Sequence, residues 1–311
     1  MNKPRGTTFW IFFWVLFVAA LIMAAYLLLA YRHEKTATSG LNFDIGYSVK
    51  TAAGTSWYEV TPQGSQSYPT LSGMSINGMA HADGKTFVLA FGNASSSTLY
   101  EYANGTYTPL YTSSTILRSL SVSNDGTWAV FLSNNSEVEA FNLMTKTMAQ
   151  VGPGFGLALV QAASGSPTVL YLNGKTILAS APQGNAWSAP QPVYTSGKDF
   201  AMNDSVVSDG SDRFAFREPF VNKEELWQVK SWAPLTISPL KIYNIPTNTP
   251  FTAMSLVNSE LTGLLLITPS STTPSDVMEL TTFASTTASN RLRVPLQNAT
   301  QVNLVFVQML Q

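Results

Sequence analysis

The sequence predicts an all-β chain in which a four-stranded unit repeats around a ring, behind one apolar N-terminal helix. Three observations predict it. An Asp-Gly turn recurs at Asp83-Gly84, Asp125-Gly126 and Asp209-Gly210, spaced by 42 and then 84 residues. A β-rich run follows each turn: Thr86 to Phe91, Thr127 to Leu132 and Arg213 to Arg217. Residues 9–29 read FWIFFWVLFVAALIMAAYLLL, 21 residues without a charge. A period of about 40–45 residues holding a turn and several strands is that of a β-propeller blade.

Residues 1–8 form a short leader and 9–31 a transmembrane signal anchor. A helix of about 20 apolar residues spans a bilayer core, and Trp10, Trp14, Tyr26 and Tyr31 stand near its ends as interfacial aromatics do. Lys3 and Arg5 precede the run, and Arg32, Glu34 and Lys35 follow it. With the amino group, this slight asymmetry places the N-terminus inside. A cleaved signal peptide has an apolar core of about 7–15 residues and a small-residue cleavage site. This run is longer, and Leu27 to Arg32 is a poor site, so an uncleaved anchor is expected. A polar linker follows over 32–40 (RHEKTATSG). Residues 41–311 are the extracytoplasmic domain.

The second repeat shows the unit. Leu120 to Ser123 alternates apolar and polar, and Asn124-Asp125-Gly126 signals a hairpin. Thr127 to Leu132 is almost continuously apolar, as a strand covered on both sides is. Glu137 to Leu143 alternates again, and Thr147 to Val151 is the outer strand. The first repeat reads the same way over Ser75 to His81, Thr86 to Phe91, Thr98 to Ala103 and Thr106 to Tyr111, with Asn104-Gly105 as its last turn. Three looser repeats follow, over 157–195, 204–243 and 252–296. Val302 to Met309 is then a strand without successors, and Tyr47 to Thr51, Trp57 to Thr61 and Tyr68 to Leu71 are strands without a predecessor. Joined, they make a composite sixth blade that ties the chain ends and removes open edges. Six blades are expected, within a range of five to seven. The competing fold is a pair of β-sandwiches, against which the fixed 42-residue interval speaks.

The run Leu120-Ser121-Val122-Ser123-Asn124-Asp125-Gly126-Thr127-Trp128-Ala129-Val130-Phe131, followed by Val138 to Leu143, resembles the repeat of TolB-like, WD-related β-propellers. That repeat runs Ser-Pro-Asp-Gly, an apolar strand, then an "I-y-v-x-d-l" strand. Asn124 stands where the family has Pro. The copies at Asp83, Asp125 and Asp209 match, while the third and fifth repeats lack the Asp. The resemblance covers roughly residues 41–311 as architecture, and its motif transfers no catalytic residue.

Composition narrows the chemistry. Charged residues are 11 % and net charge is −1, which gives no basic footprint for nucleic acid. The absence of cysteine excludes disulfides, thiolate metal sites, a Cys nucleophile and a lipobox. The two histidines are His33, beside the membrane, and His81, before the first Asp-Gly turn. His81 with Asp83 has the form of a base and its orienter; the simpler reading is that His81 ends a strand and Asp83 caps its own turn. No Gly-x-Ser-x-Gly elbow occurs, and a Ser-His-Asp triad would depend on His81. No cofactor or metal is expected. Asn203-Asp204 with Asp209-Gly210-Ser211-Asp212 is the densest acidic group, but its spacing is not that of an EF-hand. Gly152 to Gly156 precedes no helix and reads as an interblade linker.

A glycan hydrolase needs two facing carboxylates. Glu59, Glu101, Asp199, Asp204, Glu218 and Glu260 are the candidates, and solvated turn positions are the simpler account of them. The densest charge in the domain runs from Arg217 to Glu225, beside Trp227 and Trp232. Read as a loop, it is a candidate partner surface through Arg217, Phe220, Trp227 and Trp232; packed Trp residues on a solvated hairpin are the alternative. Sequons at Asn93, Asn104, Asn134, Asn203 and Asn298 are no more than chance supplies, and they matter only in a host that glycosylates. The expected function is a non-enzymatic protein-binding or scaffold module of the cell envelope, anchored through residues 9–29, with envelope proteins or glycans as partners. The alternative is an extracellular glycan-acting hydrolase using a carboxylate pair in the axial pocket.

Overall fold

The computed structural model describes residues 17, 21–24, 43–51, 54–61, 64–69, 71, 74–92, 95–133, 136–161, 165–202, 204, 206–208, 213–219, 224–229, 240–245, 253–256, 262–266, 277–283, 288–295 and 301–309. Strands β1 (Phe43–Thr51), β2 (Gly54–Thr61) and β3 (Gly64–Tyr68) open the domain. The first sheet is β4 (Ser75–Ala82), β5 (Lys85–Phe91), β6 (Ser97–Ala103) and β7 (Thr106–Ser113). The second is β8 (Leu117–Val122), β9 (Trp128–Ser133), β10 (Glu137–Asn142) and β11 (Thr147–Pro153). The third holds β12 (Phe155–Gln161), β13 (Pro167–Asn173) and β14 (Thr176–Ser180); a ribbon of β15 (Pro182–Gln183) and β16 (Ala186–Trp187) precedes its last strand, β17 (Gln191–Thr195). The fourth is β18 (Val206–Ser208), β19 (Phe214–Pro219), β20 (Glu224–Val229) and β21 (Leu240–Ile245). The fifth is β22 (Ala253–Leu256), β23 (Thr262–Leu266), β24 (Val277–Phe283) and β25 (Ala288–Pro295), and β26 (Gln301–Met309) ends the chain.

These strands form six four-stranded antiparallel sheets and the ribbon, and one sheet joins the chain ends in the order β26-β1-β2-β3. In it Phe43 opposes Met309 and Lys50 opposes Gln301. The leading strands touch in a cycle: β4 meets β8, β8 meets β12, β12 meets β18, β18 meets β22, β22 meets β26 and β26 meets β4. They therefore line the axis of a β-propeller, and the closing strand is the predicted one.

Local chemistry explains the turns. Asp83 and Gly84 have φ of 51° and 68°, so both central residues of this two-residue hairpin are left-handed. That turn matches strand twist and tolerates Asp or Asn followed by Gly. Asn104-Gly105 repeats it, with φ of 52° and 80°. The Asp125 turn is wider. The Gly126 amide donates to Ser123 O at 2.8 Å, and Asp125 Oδ1 accepts from Ser123 Oγ, Thr127 N and Thr127 Oγ1. A Cβ on Gly126 would lie 3.1 Å from Asp83 Cβ, so the turns of neighbouring sheets nest against each other.

The core lies between sheets. Trp57 and Tyr68 of the closing sheet pack on Ile76, Met79 and Val88. Phe87, Leu89 and Leu99 pack on Leu117, Phe131 and Phe141. Trp128, Val130 and Val138 meet Leu157, Val169 and Tyr171, and Leu170, Leu172 and Ile177 meet Phe214 and Phe216. The second strands are apolar on both faces because each sheet is covered on both sides.

Three details differ from expectation. The linker read over Gly152 to Gly156 shrinks to Gly154 alone between β11 and β12. There a Cβ would come within 2.4 Å of Tyr171 Cδ2 and 2.6 Å of Leu172 O. Strand β8 begins at Leu117 rather than Leu120, because a bulge with Ser119 at φ 57° hides the alternation. The β15–β16 ribbon has no counterpart in the expected repeat; its Trp187 meets Trp128 edge-on at 5.3 Å. Among the described residues no helix is long and apolar enough to cross a membrane. Most of the expected span, 9–31, lies outside them; Phe17 and Leu21–Ala24 are helical and exposed.

Candidate functional site

Antiparallel strand order assigns each loop to a face. The first and third hairpins of every sheet emerge on one face, with the turns at Asp83, Asn104 and Asp125. The second hairpins and the connections between sheets emerge on the other. Polar clusters occur on both.

On the second face, β19 and β20 bring two carboxylates together. Phe214, Phe216 and Glu218 share one side of β19 by strand alternation. They stand opposite Val229, Trp227 and Glu225 of β20. The aromatic part of this face packs on the third sheet: Tyr194 lies 5.0 Å from Phe216 between ring centroids, and Phe200 lies edge-on to Phe216. The two glutamates end the face at the hairpin, 3 % and 2 % exposed. Ser196 Oγ donates to Glu218 Oε1 at 2.8 Å, and Trp227 Nε1 donates to Glu225 Oε2 at 3.1 Å. Glu218 Oε2 makes no hydrogen bond of good geometry among the described residues.

Burial pushes the Glu218 carboxyl above the usual carboxylate range. Ser196, Tyr194 and the Gly197 amide pull it back, and Glu225 opposite raises it further. Burial, then the charge of Glu218 and its hydrogen bond, push the Tyr194 hydroxyl far up, so Tyr194 remains a donor. Two carboxyls directly opposite each other resist double ionisation. The arrangement therefore holds a proton above ordinary carboxylate pH.

Arg217 points to the other side of β19. Its Nη1 lies 3.6 Å from Asp204 Oδ1, with side-chain exposures of 11 % and 5 %. Asp204 Oδ2 also accepts from the Ala201 amide at 2.6 Å. The charged run read as a loop from Arg217 to Glu225 is thus mainly paired strand, with 220–223 between β19 and β20. Trp227 is half-buried. Phe220, Trp232, Glu260, Asn203 and the turn Asp209-Gly210 through Asp212 lie outside the described residues.

On the first face, Glu59 of β2 is 2 % exposed and joins the closing sheet to the first. Tyr68 Oη donates to its Oε2. His81 Nε2 lies 2.7 Å from Glu59 Oε1, and His81 Nδ1 lies 2.9 Å from Thr86 Oγ1. The carboxylate beside His81 is therefore Glu59, not Asp83. Glu101 pairs with Lys85 at 3.5 Å on the surface, and Asp199 is exposed. Among the described residues no three His, Cys, Asp or Glu gather as a metal site. A shallow hollow of about 10 Å³, room for a single water, lies beside Ser123 and Asn124 and is lined also by Leu159 and Gln161, with no carboxylate. Small-molecule sites run to about 300–1,000 Å³.

Sequence reasoning missed Glu225, Tyr194 and Ser196. Parity carried a signal for the first: Glu225, Trp227 and Val229 alternate with the same period as Phe214, Phe216 and Glu218.

No family model matches the chain, and no curated protein matches it. Solved structures do. TolB from Acinetobacter baumannii is 14 % identical with a TM-score of 0.59, over 86 % of this chain and 66 % of TolB. The chain thus spans a little under two thirds of TolB. An oligogalacturonate lyase solved in complex with manganese is 8 % identical with a TM-score of 0.52, over 77 % of this chain and 71 % of the lyase. At such identities the likeness speaks to fold alone, and the architecture is that of a TolB-like β-propeller.

Proposed function

We propose that this chain is a membrane-anchored, extracytoplasmic, six-bladed β-propeller that serves as a non-enzymatic binding or scaffold module for envelope proteins. The six sheets are its blades. Residues 9–31 anchor it, and the linker over 32–40 leads to β1. Strand β1 begins on the face that carries the Asp83 and Asp125 turns, so this face turns toward the membrane. The second hairpins and interblade connections then point outward, where partners bind.

The observation that carries the binding reading is where the acids sit. Glu59, Glu218 and Glu225 are 2–3 % exposed and are held by Tyr68, His81, Ser196 and Trp227. They stand on the second and third strands of their sheets, away from the axis, where an axial pocket would need them on leading strands. The test uses the full chain in its native membranes. Carbonate extraction should leave it in the pellet, protease should cleave it from outside, and crosslinking should trap discrete partners that Trp227→Ala weakens. A chain released by carbonate, or protected from external protease, would remove the reading.

The raised carboxyl of Glu218 beside Glu225 favours a second reading, a glycan-acting hydrolase. Its test is polysaccharide cleavage that Glu218→Gln and Glu225→Gln abolish while leaving the fold intact.

A further inference from the structure

We propose that Asn104 is an acceptor for an N-linked glycan, a modification site on the membrane-facing rim of the propeller. The inference rests on the extracytoplasmic reading above. Asn104-Gly105-Thr106 is an Asn-x-Thr sequon without proline at its middle position. Of the five sequon asparagines, Asn104 is the one among the described residues. The fold presents it for transfer. Asn104 and Gly105 are the two central residues of the β6–β7 hairpin, with Ala103 opposite Thr106 at its base. Asn104, Gly105 and Thr106 are all exposed.

Space around the tip is open. A Cβ on Gly105 would meet nothing within 4 Å. Asn104 takes a left-handed φ of 52°, a conformation that Asn tolerates. Behind the tip, Tyr102 and Tyr107 oppose each other with ring centroids 4.7 Å apart, both half-buried.

The transfer is balanced. The co-reactant is an oligosaccharide carried on a polyprenyl diphosphate. Asn104 Nδ2 forms a bond to the anomeric carbon, the carbon–oxygen bond to the diphosphate breaks, and polyprenyl diphosphate leaves with the bonding pair. One amide proton passes to a base of the transferase. No electron is exchanged with an oxidant or reductant.

The experiment expresses the full chain in a eukaryotic host with a complete secretory pathway. Peptides are mapped by mass spectrometry before and after peptide N-glycosidase. Asn104 should carry hexosamine-based glycan, and Asn104→Gln should lose it. Thr106→Ala keeps the asparagine and removes the hydroxyl that the transferase reads, and should likewise drop occupancy to background. Unmodified Asn104 in molecules glycosylated at Asn93, Asn134, Asn203 or Asn298 would overturn the site and leave the compartment standing. Sugar on none of the five asparagines would overturn the compartment reading and this site with it.

Discussion

Tyr171 offers a test of how the packing has been read. Its side chain on β13 is 0 % exposed. The ring is roofed by the crossing from the second sheet to the third: a Cβ on Gly152 would lie 2.8 Å from its hydroxyl, and one on Gly154 would lie 2.4 Å from its ring. The hydroxyl has no hydrogen-bond partner among the described residues. Burial, then the nearby Glu137 carboxylate, push its pKa up to about 12, so it stays a neutral O–H at any working pH. An unsatisfied buried hydroxyl costs about 1–3 kcal/mol. Tyr171→Phe removes it and keeps the ring. The variant is expected to gain about 1 kcal/mol or more, which is roughly 2–4 °C in Tm for a unit of this size. Urea unfolding should show a higher midpoint at unchanged m. Tyr171→Ala, which gives up the ring as well, should lose about 3–5 kcal/mol. A lower midpoint for Tyr171→Phe at the same m would mean that the hydroxyl is bonded, and would refute the accounting.

Three further outcomes follow from the charged groups. The folded chain binds the Glu218 proton more tightly than the unfolded chain does, so the associated stability is complete below the unfolded value of about 4.3 and is lost as pH rises through the folded one. Glu218→Gln should therefore flatten the decline of the urea midpoint above that pH; an unchanged slope would count against it. Asp125 behaves oppositely. Burial raises its pKa, but bonds from Ser123 and Thr127 outweigh it, and the net shift is down. Its contribution is present above the unfolded value and disappears as pH falls through the folded one, so Asp125→Asn should lose less stability on acidification than the parent, read from midpoints at acid pH. His81→Ala takes one hydrogen-bond partner from the buried Glu59 carboxylate. A lost hydrogen bond to a charged group is worth about 1.5–3 kcal/mol, visible in thermal unfolding, and an unchanged Tm would show that the pair contributes nothing.

The repeat was legible because its signals are local. Asp83-Gly84 and Asn104-Gly105 are hairpins whose left-handed φ values only a few residue types accept. The closing strand was legible by elimination, since 302–309 lacked successors and 47–71 lacked a predecessor. What stayed hidden depends on contacts between sheets. Nothing local to His81 points to Glu59, 22 residues earlier, because they meet only after the last strand joins the first three. Arg217 to Glu225 read as a loop because charged residues rarely sit in covered strands. They do so here because Asp204 answers Arg217, while Ser196 and Trp227 answer the glutamates. The ribbon over 182–187 turns at Gly184-Asn185, with Gly184 at φ 64°; that pair is a local hairpin signal which the blade-by-blade reading passed over.

The polar contacts explain how so charge-poor a chain fixes the order of its sheets. Apolar faces of similar composition give little preference for one register over the next. A buried polar bond does, because a slipped sheet would strand the donor. Four of the six seams carry one among the described side chains. His81 and Glu59 join the closing sheet to the first. Ser97 Oγ accepts from Leu117 N at 2.8 Å, and Asn77 Nδ2 donates to Leu117 O, between the first and second. Ser121 Oγ accepts from Leu159 N between the second and third, and Ser196 reaches Glu218 between the third and fourth. Most of these bonds end on a backbone atom or a neutral hydroxyl, which costs less to bury than an ion pair. The two seams that use carboxylates are the exceptions, and each gathers extra donors around its glutamate. Bonds of this kind tie the order and register of the sheets to particular donors and acceptors rather than to the apolar faces alone.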